Sequence, residues 1–313
     1  MNPLRIGTRG SPLALWQAHH VADLLRPLAA PRRVEFVEIE TSGDRIRDLA
    51  LSQIGGDGLF TKEIQRALLS DTVDIAVHSL KDLPTTRVDG LSLAAVPERG
   101  PAGDAFVSNE YKHFDDLPPG ATVGTSSLRR RSQALHRRPD LHLVDLRGNV
   151  ETRLRKLKEQ RLDAIVLAEA GLLRLGLQSV ITELLDPQWM LPAIGQGALG
   201  LECRSEDAPV LELLARLNHR ATRLAVLAER ALLRGLGGGC LVPIGAATHI
   251  ATERLHVRGA VLSTNGDRRI EAEHEGNANG AEAIGRKLAE ILLASGAAEL
   301  LRPSAPSDGG VKT

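Results

Sequence analysis

The strongest constraint on the fold is a pattern that occurs twice along the chain. "LRIGT" (4–8) is a short apolar segment followed by a turn, a serine and a helical stretch that begins "SPLALWQ". "TVGTSSLRRRSQ" (122–133) repeats this order, with a second Gly-Thr pair. Asp74 and Asp163 occupy matching places at the start of later apolar segments. Because strands that alternate with helices form parallel α/β sheets, the pattern predicts two similar α/β domains.

A different pattern follows residue 200. Residues 208–236 have helical spacing, "IGAATHI", "RLHVRGAVLST" and "RRIEAEHEG" are consecutive strands, and a helix is predicted from about 279 to 295. Strands in a run beside helices indicate a small α+β domain, and 313 residues exceed what one core usually covers. We predict these boundaries: 1–98 with about 198–216 for domain 1, 99–197 for domain 2, 217–300 for domain 3, and 301–313 as a disordered tail.

Charge and composition argue against several classes of function. The 39 Lys and Arg balance the 39 Asp and Glu, so net charge gives no attraction to DNA or anionic membranes. Seven aromatic residues are too few for platforms that stack single-stranded nucleic acid. The N-terminus lacks the apolar stretch of a signal peptide, no apolar run is long enough for a membrane span, and two distant cysteines indicate neither disulfides nor zinc. We expect a cytoplasmic protein that binds no nucleic acid, membrane or metal.

Arginines cluster where both predicted domains direct a helix N-terminus at a strand end. Such ends attract anions, because free N–H groups and the helix dipole both favour negative charge. Several guanidinium groups facing one cleft would match a ligand with several carboxylates or phosphates. The alternatives for "LRRRSQALHRR" are a solvated helix face and a nucleic-acid patch. The arginines of the cluster are Arg9, Arg129, Arg130, Arg131, Arg147 and Arg153.

"HSLKDLP" (78–84) places Lys81 and Asp82 just after a predicted buried strand. Asp before Leu-Pro is a common turn former. Among so many arginines, however, this carboxylate is also the group suited to stabilise a developing cation or to move protons. We expect His78 to support the loop rather than to react.

The segment "RGLGGGCLVPIG" (234–245) raises the question of what Cys240 does behind three glycines. An isolated cysteine is most often a small buried hydrophobe. The glycines instead favour close backbone approach or mobility, and an accessible thiolate would be a nucleophile. Cys203, in the apolar run "LGLECRS", is expected in a core.

In combination, these segments resemble the porphobilinogen deaminase (hydroxymethylbilane synthase) family over nearly the whole chain. The resemblance implies three domains, the first two like periplasmic binding proteins. It also implies a monomeric transferase of porphyrin biosynthesis that condenses four porphobilinogen molecules into a linear tetrapyrrole with release of ammonia. The motifs that carry it are "TRGSPLALWQ", "TSGD", "GLFTKE", "DIAVHSLKDLP", "DAFVSN", "VGTSSLRRRSQ", "LRGNVETRL", "AGLLRLG", "LPAIGQGALGLECR" and "GGGCLVPIG".

The same resemblance implies roles for individual residues. Cys240 would carry a dipyrromethane cofactor through a thioether, and Asp82 would be the catalytic aspartate. The residues implied to hold the cofactor's carboxylates, together with Asp82, are Lys81, Ser127, Arg129 and Arg130. Those implied to surround the substrate and growing polypyrrole chain are Arg9, Ser11, Arg147, Arg153, Arg174 and Gln196.

One position departs from the family pattern. Asp57 in "GGDGLF" (55–60) stands where a basic residue is expected, so we do not expect this loop to contact substrate carboxylates. The main alternative function is a non-catalytic polycarboxylate-binding protein of the periplasmic type, which leaves the third domain and the cysteine unexplained. A nucleic-acid binder using residues 128–138 is the other alternative, and it predicts steep salt dependence and no use for Asp82.

Overall fold

The structure is a computed structural model that describes residues 2–45, 58, 61–238 and 242–301. The predictions for Cys240, Asp57 and the tail after residue 301 therefore lie outside the described residues. The strands are β1 (Leu4–Thr8), β2 (Val34–Glu38), β3 (Ile75–Ser79), β4 (Leu91–Ala95), β5 (Asp104–Val107), β6 (Thr122–Gly124), β7 (His142–Val144), β8 (Ala164–Ala168), β9 (Glu183–Leu184), β10 (Leu199–Arg204), β11 (Ile244–Ala251), β12 (Arg254–Leu262) and β13 (Arg269–Asn277). The helices are α1 (Pro12–Ala29), α2 (Ser42–Arg45), α3 (Lys62–Leu69), α4 (Leu128–Arg137), α5 (Val150–Glu159), α6 (Glu169–Arg174), α7 (Ala208–Ala215), α8 (Arg220–Gly235), α9 (Ala281–Ala294) and α10 (Ala297–Leu300).

Two five-stranded sheets share one plan. The first has the order β2-β1-β3-β10-β4 and the second the order β7-β6-β8-β5-β9. In each, the second strand in this order runs parallel to both of its neighbours. The fourth strand runs antiparallel to both of its neighbours. The prediction of parallel sheets is therefore wrong in part, because each sheet is mixed.

Matching residues hold the two sheets in the same way. The Asp74 carboxylate accepts the N–H of Arg5 at 2.8 Å, and the Asp163 carboxylate accepts the N–H of Thr122 at 2.6 Å. In return, the N–H of Asp74 donates to the carbonyl of Arg5 at 2.9 Å, and the N–H of Asp163 donates to the carbonyl of Thr122 at 3.0 Å. Each therefore ties the start of a parallel strand to its neighbour, and the pairing of Asp74 with Asp163 is confirmed.

The third sheet is an antiparallel meander of β11, β12 and β13. Its core joins Leu255 and Val257 of β12 to Leu232 of α8 and Leu288 of α9. Runs of apolar side chains at helical spacing on α8 and α9 explain why both helices pack together on this sheet. The predicted fold class, two similar α/β domains and a smaller α+β domain, is confirmed.

The first two sheets are joined by two connecting segments, residues 96–103 and 185–198. Gly100 N–H donates to the carbonyl of Gly197 at 3.1 Å, so the segments lie side by side. The fully buried Glu229 of α8 accepts Arg99 at 2.6 Å from one segment and the N–H of Gly195 at 2.7 Å from the other. The third domain is thereby fastened to both connections. The domain boundaries themselves stay a prediction.

The predicted helix over 208–236 is in fact two helices, α7 and α8. The break is stabilised by Asn218, whose side chain accepts the N–H of Val96 at 3.0 Å, and by His219, which caps α8. The predicted core position of Cys203 is confirmed, since it lies fully buried in β10. No helix among the described residues is both long and apolar enough to cross a membrane.

Candidate functional site

A short 3-10 turn, Leu80–Asp82, follows β3 at the end of the first sheet. The N–H of Leu80 donates to the carbonyl of Ala198 at 3.0 Å, which anchors the turn to the second connecting segment. Burial lowers the pKa of Lys81 to about 8, since the attraction of neighbouring Asp82 only partly offsets the loss of water. The sequence therefore places an ammonium of lowered basicity beside a carboxylate.

The N-terminus of α4 in the second domain carries two buried arginines, Arg129 and Arg130. Both pair with Asp104, a fully buried residue of β5. Asp104 accepts Arg129 Nη1 at 2.7 Å on Oδ2, and Arg130 Nε at 2.9 Å and Nη2 at 2.7 Å on Oδ1. Burial by itself would raise the pKa of this carboxyl, but the two guanidinium groups outweigh it and hold the pKa far below its usual range. Burial also lowers the pKa of Arg129.

These arginines keep hydrogen-bond donors that the protein does not use. Arg130 uses three of its five N–H donors, two on Asp104 and one on the carbonyl of Val166 at 3.0 Å. Arg129 uses only Nη1, which also donates to the carbonyl of Leu191 at 2.6 Å. Its Nε atom is buried and has no partner among the described residues. In the described part of the chain no hydrogen bond engages the Nε–Nη2 edge, which is suited to bidentate binding of a carboxylate.

Arg147 and Arg153 extend the cluster from the loop after β7 and from α5. The Nη2 atom of Arg147 is buried and has no hydrogen-bond partner in the described part of the chain. Arg153 donates through Nε to the carbonyl of Gly148 at 2.8 Å, and burial lowers its pKa to about 10. Gly148 has φ of +117° and no room for a Cβ, which would lie 2.5 Å from Thr152. Only glycine therefore fits the turn between these arginines.

Electrostatic coupling shows that the two domains contribute to one site. The pKa of Lys81 responds first to burial and then to the charges of Asp82, Arg130, Asp104 and Arg129. The pKa of Arg153 responds, after burial, to Arg130, Asp82 and Arg147. The structure thus brings together six of the residues predicted from the sequence. They are Lys81, Asp82, Arg129, Arg130, Arg147 and Arg153.

The predicted serines cap helices at this site. The Ser11 hydroxyl accepts the N–H of Ala14 at the start of α1, and the Ser127 hydroxyl accepts the N–H of Arg130 at the start of α4, both at 3.4 Å. A hydroxyl that accepts at its oxygen keeps its O–H free to donate to an anion. The two caps are equivalent in the two domains, as the repeated sequence pattern predicted.

Three further predicted residues contact other parts of the protein. Arg9 is paired with Asp44, with Nη2 2.5 Å from Oδ1. Arg174, the last residue of α6, donates to the carbonyl of Gly197 at 2.6 Å and lies over the Trp16 ring. Gln196 donates to the carbonyl of Ala102 at 2.7 Å and to Asp104 at 3.0 Å, while its buried Oε1 has no partner among the described residues. Arg174 therefore lies at the connecting segments, whereas Gln196 reaches from the second connecting segment to Asp104, the counterion of the central arginines.

Sequence reasoning missed Asp104. Two adjacent arginines at a helix N-terminus are electrostatically unfavourable there, so a buried counterion had to exist. The aspartate that opens "DAFVSN" carried that signal. Asp44 was missed in the same way as the partner of Arg9.

Of the two cysteines, only Cys203 lies among the described residues. Cys203 is fully buried, and burial raises the pKa of its thiol to about 11, so it is a poor nucleophile. Cys240 lies outside the described residues. Among the described residues, no group of three His, Cys, Asp or Glu side chains is arranged to hold a metal ion.

Comparisons with known proteins identify one distant structural neighbour and two close relatives in sequence. A putative methionine-binding lipoprotein from Bacillus subtilis, known from a crystal structure, is similar at 13% identity and a TM-score of 0.42, covering 69% of this chain and 90% of that one. The relative from Pelotomaculum thermopropionicum named "Porphobilinogen deaminase" is 51% identical, over 96% of each chain. The relative of that name from Syntrophomonas wolfei is 50% identical, over 96% of this chain and 98% of its own.

Two family models match along the chain. Residues 4–212 match "Porphobilinogen deaminase, dipyromethane cofactor binding domain". Residues 223–294 match "Porphobilinogen deaminase, C-terminal domain". The buried, unpartnered guanidinium nitrogens of Arg129 and Arg147 fit a cofactor that carries carboxylates. From these two matches and the 51% identity to a relative over 96% of each chain, the chain belongs to the porphobilinogen deaminase family.

Proposed function

We propose that the protein is a hydroxymethylbilane synthase, a transferase that condenses four porphobilinogen molecules head to tail. Four amino groups leave as ammonia while their methylene carbons stay in the product, and one water molecule releases the linear tetrapyrrole hydroxymethylbilane. The observation that carries the proposal is the 50–51% identity to porphobilinogen deaminases over 96% of the chain. The non-catalytic binding protein and the nucleic-acid binder have no observation of comparable weight.

The cationic cluster supports a polycarboxylate ligand. Each pyrrole ring of porphobilinogen carries an acetate and a propionate, so the product chain gains two negative charges with every ring. The unused Nε–Nη2 edge of Arg129 and the two remaining donors of Arg130 suit ring carboxylates. We assign Lys81, Ser127, Arg129 and Arg130 to the dipyrromethane cofactor. Arg147 and Arg153 are assigned to the substrate and the elongating chain.

Asp82 is proposed as the catalytic residue. When the substrate's amino group leaves with a proton as ammonia, positive charge develops on the ring and its methylene carbon. A carboxylate beside the ring nitrogen stabilises that cation, and it accepts the proton lost when the new carbon–carbon bond forms. The cofactor, when bound, supplies the free pyrrole carbon to which the first substrate is joined.

Lys81 and the guanidinium groups around Asp82 support this role in a second way. The charge of Asp82 acts on both Lys81 and Arg153, so the carboxylate lies within electrostatic reach of these cations. The same charges would repel a cationic ring in the absence of Asp82. Positive charge that develops on the substrate ring is therefore stabilised next to the Asp82 carboxylate and disfavoured elsewhere in the cluster.

Cys240 is proposed as the attachment point of the cofactor through a thioether. The chain has two cysteines, and burial makes the Cys203 thiol unsuited to alkylation. Arg9, Ser11, Arg174 and Gln196 are assigned to the substrate side of the site, two of them through the connecting segments. The monomeric state and cytoplasmic location stay predictions.

The intact mass of the purified protein tests the function and the attachment point together. We expect a mass excess of two linked pyrrole units, carried by the peptide that contains Cys240. Cys240→Ser should lack the adduct, whereas the matched Cys203→Ser should keep it. An adduct on Cys203 would overturn the attachment point. The function would be overturned by purified protein that carries no adduct, gains none during incubation with porphobilinogen, and releases no ammonia from it.

A further inference from the structure

Helix α8 of the third domain contacts the main chain immediately after the Asp82 turn. Arg230 Nη1 donates to the carbonyl of Leu83 at 2.8 Å, and Nη2 donates to the carbonyl of Pro84 at 2.7 Å. The two acceptors are the first two residues after Asp82. One planar guanidinium thus holds two consecutive carbonyls, a geometry that a flexible ammonium does not reproduce.

The segment from Leu80 to residue 88 is held by apolar packing at its start and by hydrogen bonds after Leu83. Leu80 and Leu83 pack against Val226, which lies one helical turn before Arg230 on the same face of α8. Beyond Leu83 the segment 84–88 borders a cavity of about 280 Å³ that Arg223 and Arg230 also line. The two Arg230 hydrogen bonds cross the border of this cavity and hold the main chain immediately after the turn.

A buried network around Glu202 lies at the border of the same cavity as the Arg230 guanidinium. Glu202 of β10 is buried, and the positive charge of Arg230 is among the interactions that favour its ionised form. Glu202 Oε2 lies 3.0 Å from Nε2 of His78 and 3.1 Å from Nε2 of Gln65. His78 belongs to β3, the strand that leads into the turn. Arg230 therefore lies between a carboxylate fixed to the incoming strand and the carbonyls of the outgoing segment.

We propose that Arg230 is a positioning residue that sets the location of the Asp82 carboxylate. This inference rests on the proposed function of Asp82 and adds a role for the third domain. Helix α8 ends at Gly235, and Cys240 follows five residues later in the sequence. The same helix therefore supports the catalytic turn and leads to the proposed attachment point.

The test compares Arg230→Leu with Arg223→Leu. Arg223 lies on the same helix and borders the same cavity, but it donates to the carbonyl of Ala94 at 3.0 Å, away from the turn. Both variants should retain the covalent cofactor by intact mass and should melt at similar temperatures. We expect kcat of Arg230→Leu to fall by about 10- to 100-fold with little change in KM, because a displacement of about 1 Å at a catalytic group has an effect of this size. Arg223→Leu should keep kcat within about two-fold of the wild type.

Arg230→Gln and Arg223→Gln provide the same comparison if the leucine variants do not fold. A glutamine amide reaches at most one of the two carbonyls, so we expect kcat of Arg230→Gln to fall less than that of Arg230→Leu, and kcat of Arg223→Gln not to fall. Arg230→Lys should recover part of the kcat that Arg230→Leu loses. Equal kcat in the paired variants at equal cofactor occupancy would overturn the positioning role. If the wild type shows no turnover, the proposed function fails instead, which is a separate outcome.

Discussion

The two five-stranded domains have one architecture and opposite electrostatic character. Both use an aspartate to tie neighbouring strands and a serine to cap the following helix. After β3, however, the first domain presents Lys81 and Asp82, whereas the corresponding positions after β8 are Ala170 and Gly171 of α6. The helix after the capping serine begins Pro-Leu-Ala in the first domain and Leu-Arg-Arg-Arg in the second.

This difference teaches that a duplicated scaffold can divide labour between its copies. Backbone geometry at the strand ends is shared, so both copies offer helix N-termini to anions. In the proposed function, the second domain supplies most of the arginines assigned to ring carboxylates. The first domain supplies the proposed catalytic acid, together with Lys81, Arg9 and Ser11.

The largest effect is expected at the acid itself. Asp82→Asn removes the carboxylate and keeps its shape, so kcat should fall by about 100- to 10,000-fold with the fold intact. Glu169→Gln is the matched change in the second domain, because Glu169 opens α6 after β8 and burial raises its pKa. Steady-state release of ammonia should be near normal in Glu169→Gln. Equal losses in the two variants would show that the acid chemistry is not confined to the first domain.

A loss of stability is expected when the counterion of the second domain is removed. Asp104→Ala leaves Arg129 and Arg130 buried side by side without their shared carboxylate, and breaking such a pair costs about 3–5 kcal/mol of unfolding free energy. Cofactor occupancy should fall with it. Asp115→Ala is the control, because its partner Arg137 lies at the other end of α4 and this exposed ion pair contributes about 1 kcal/mol or less. Urea unfolding of both variants measures the contrast, and a similar small loss in each would contradict it.

The smallest effect is expected on unfolding free energy when one of the two strand-tying aspartates, Asp74 or Asp163, is replaced. Asp74 is buried, which by itself raises its pKa, but hydrogen bonds from Arg5 and Arg204 lower the pKa to about 2. A carboxyl with a lowered pKa stabilises the fold above its unfolded pKa of about 4, and this contribution is lost as pH falls toward 2. Asp74→Asn should therefore lose about 2 kcal/mol near pH 7, and the difference from the wild type should vanish near pH 2.

Asp163→Asn is the matched variant for that measurement. Asp163 accepts one strand N–H at 2.6 Å, and no arginine in the described part of the chain pairs with it. Its loss of unfolding free energy should be smaller, because the substitution removes a backbone contact and no ion pair. Unfolding free energies from denaturant titrations between pH 2 and pH 7 make the comparison. Identical pH profiles for the two variants would show that the arginines contribute nothing beyond the shared backbone contact.

Local patterns predicted the parts of the fold that depend on neighbouring residues. Ser11 and Ser127 precede helices because their side chains cap them, and a serine before a helical run is legible in sequence. Asp74 and Asp163 were identified from position alone, and the structure gives each the same backbone partners. The cationic cluster could be predicted because helix starts and strand ends meet at one edge of such sheets.

Long-range contacts were beyond sequence reasoning. Asp104 is 25 residues from Arg129, and nothing local indicates that it is buried beneath that helix. The break between α7 and α8 depends on Asn218 accepting a bond from Val96, 122 residues away. The antiparallel strands arise because β10 and β5 follow connections between domains, which need no crossover helix and so set no parallel direction.

The position of β10 has a consequence for synthesis. This strand is residues 199–204, yet it fills the place between β3 and β4 in the first sheet. Until it emerges from the ribosome, β4 has no strand to pair with, and one edge of β3 stays open. Every strand of the second sheet, up to Leu184, has been made by then. The N-terminal domain is therefore begun first and completed last, and during that interval its exposed edge is the site most open to pairing with another nascent chain.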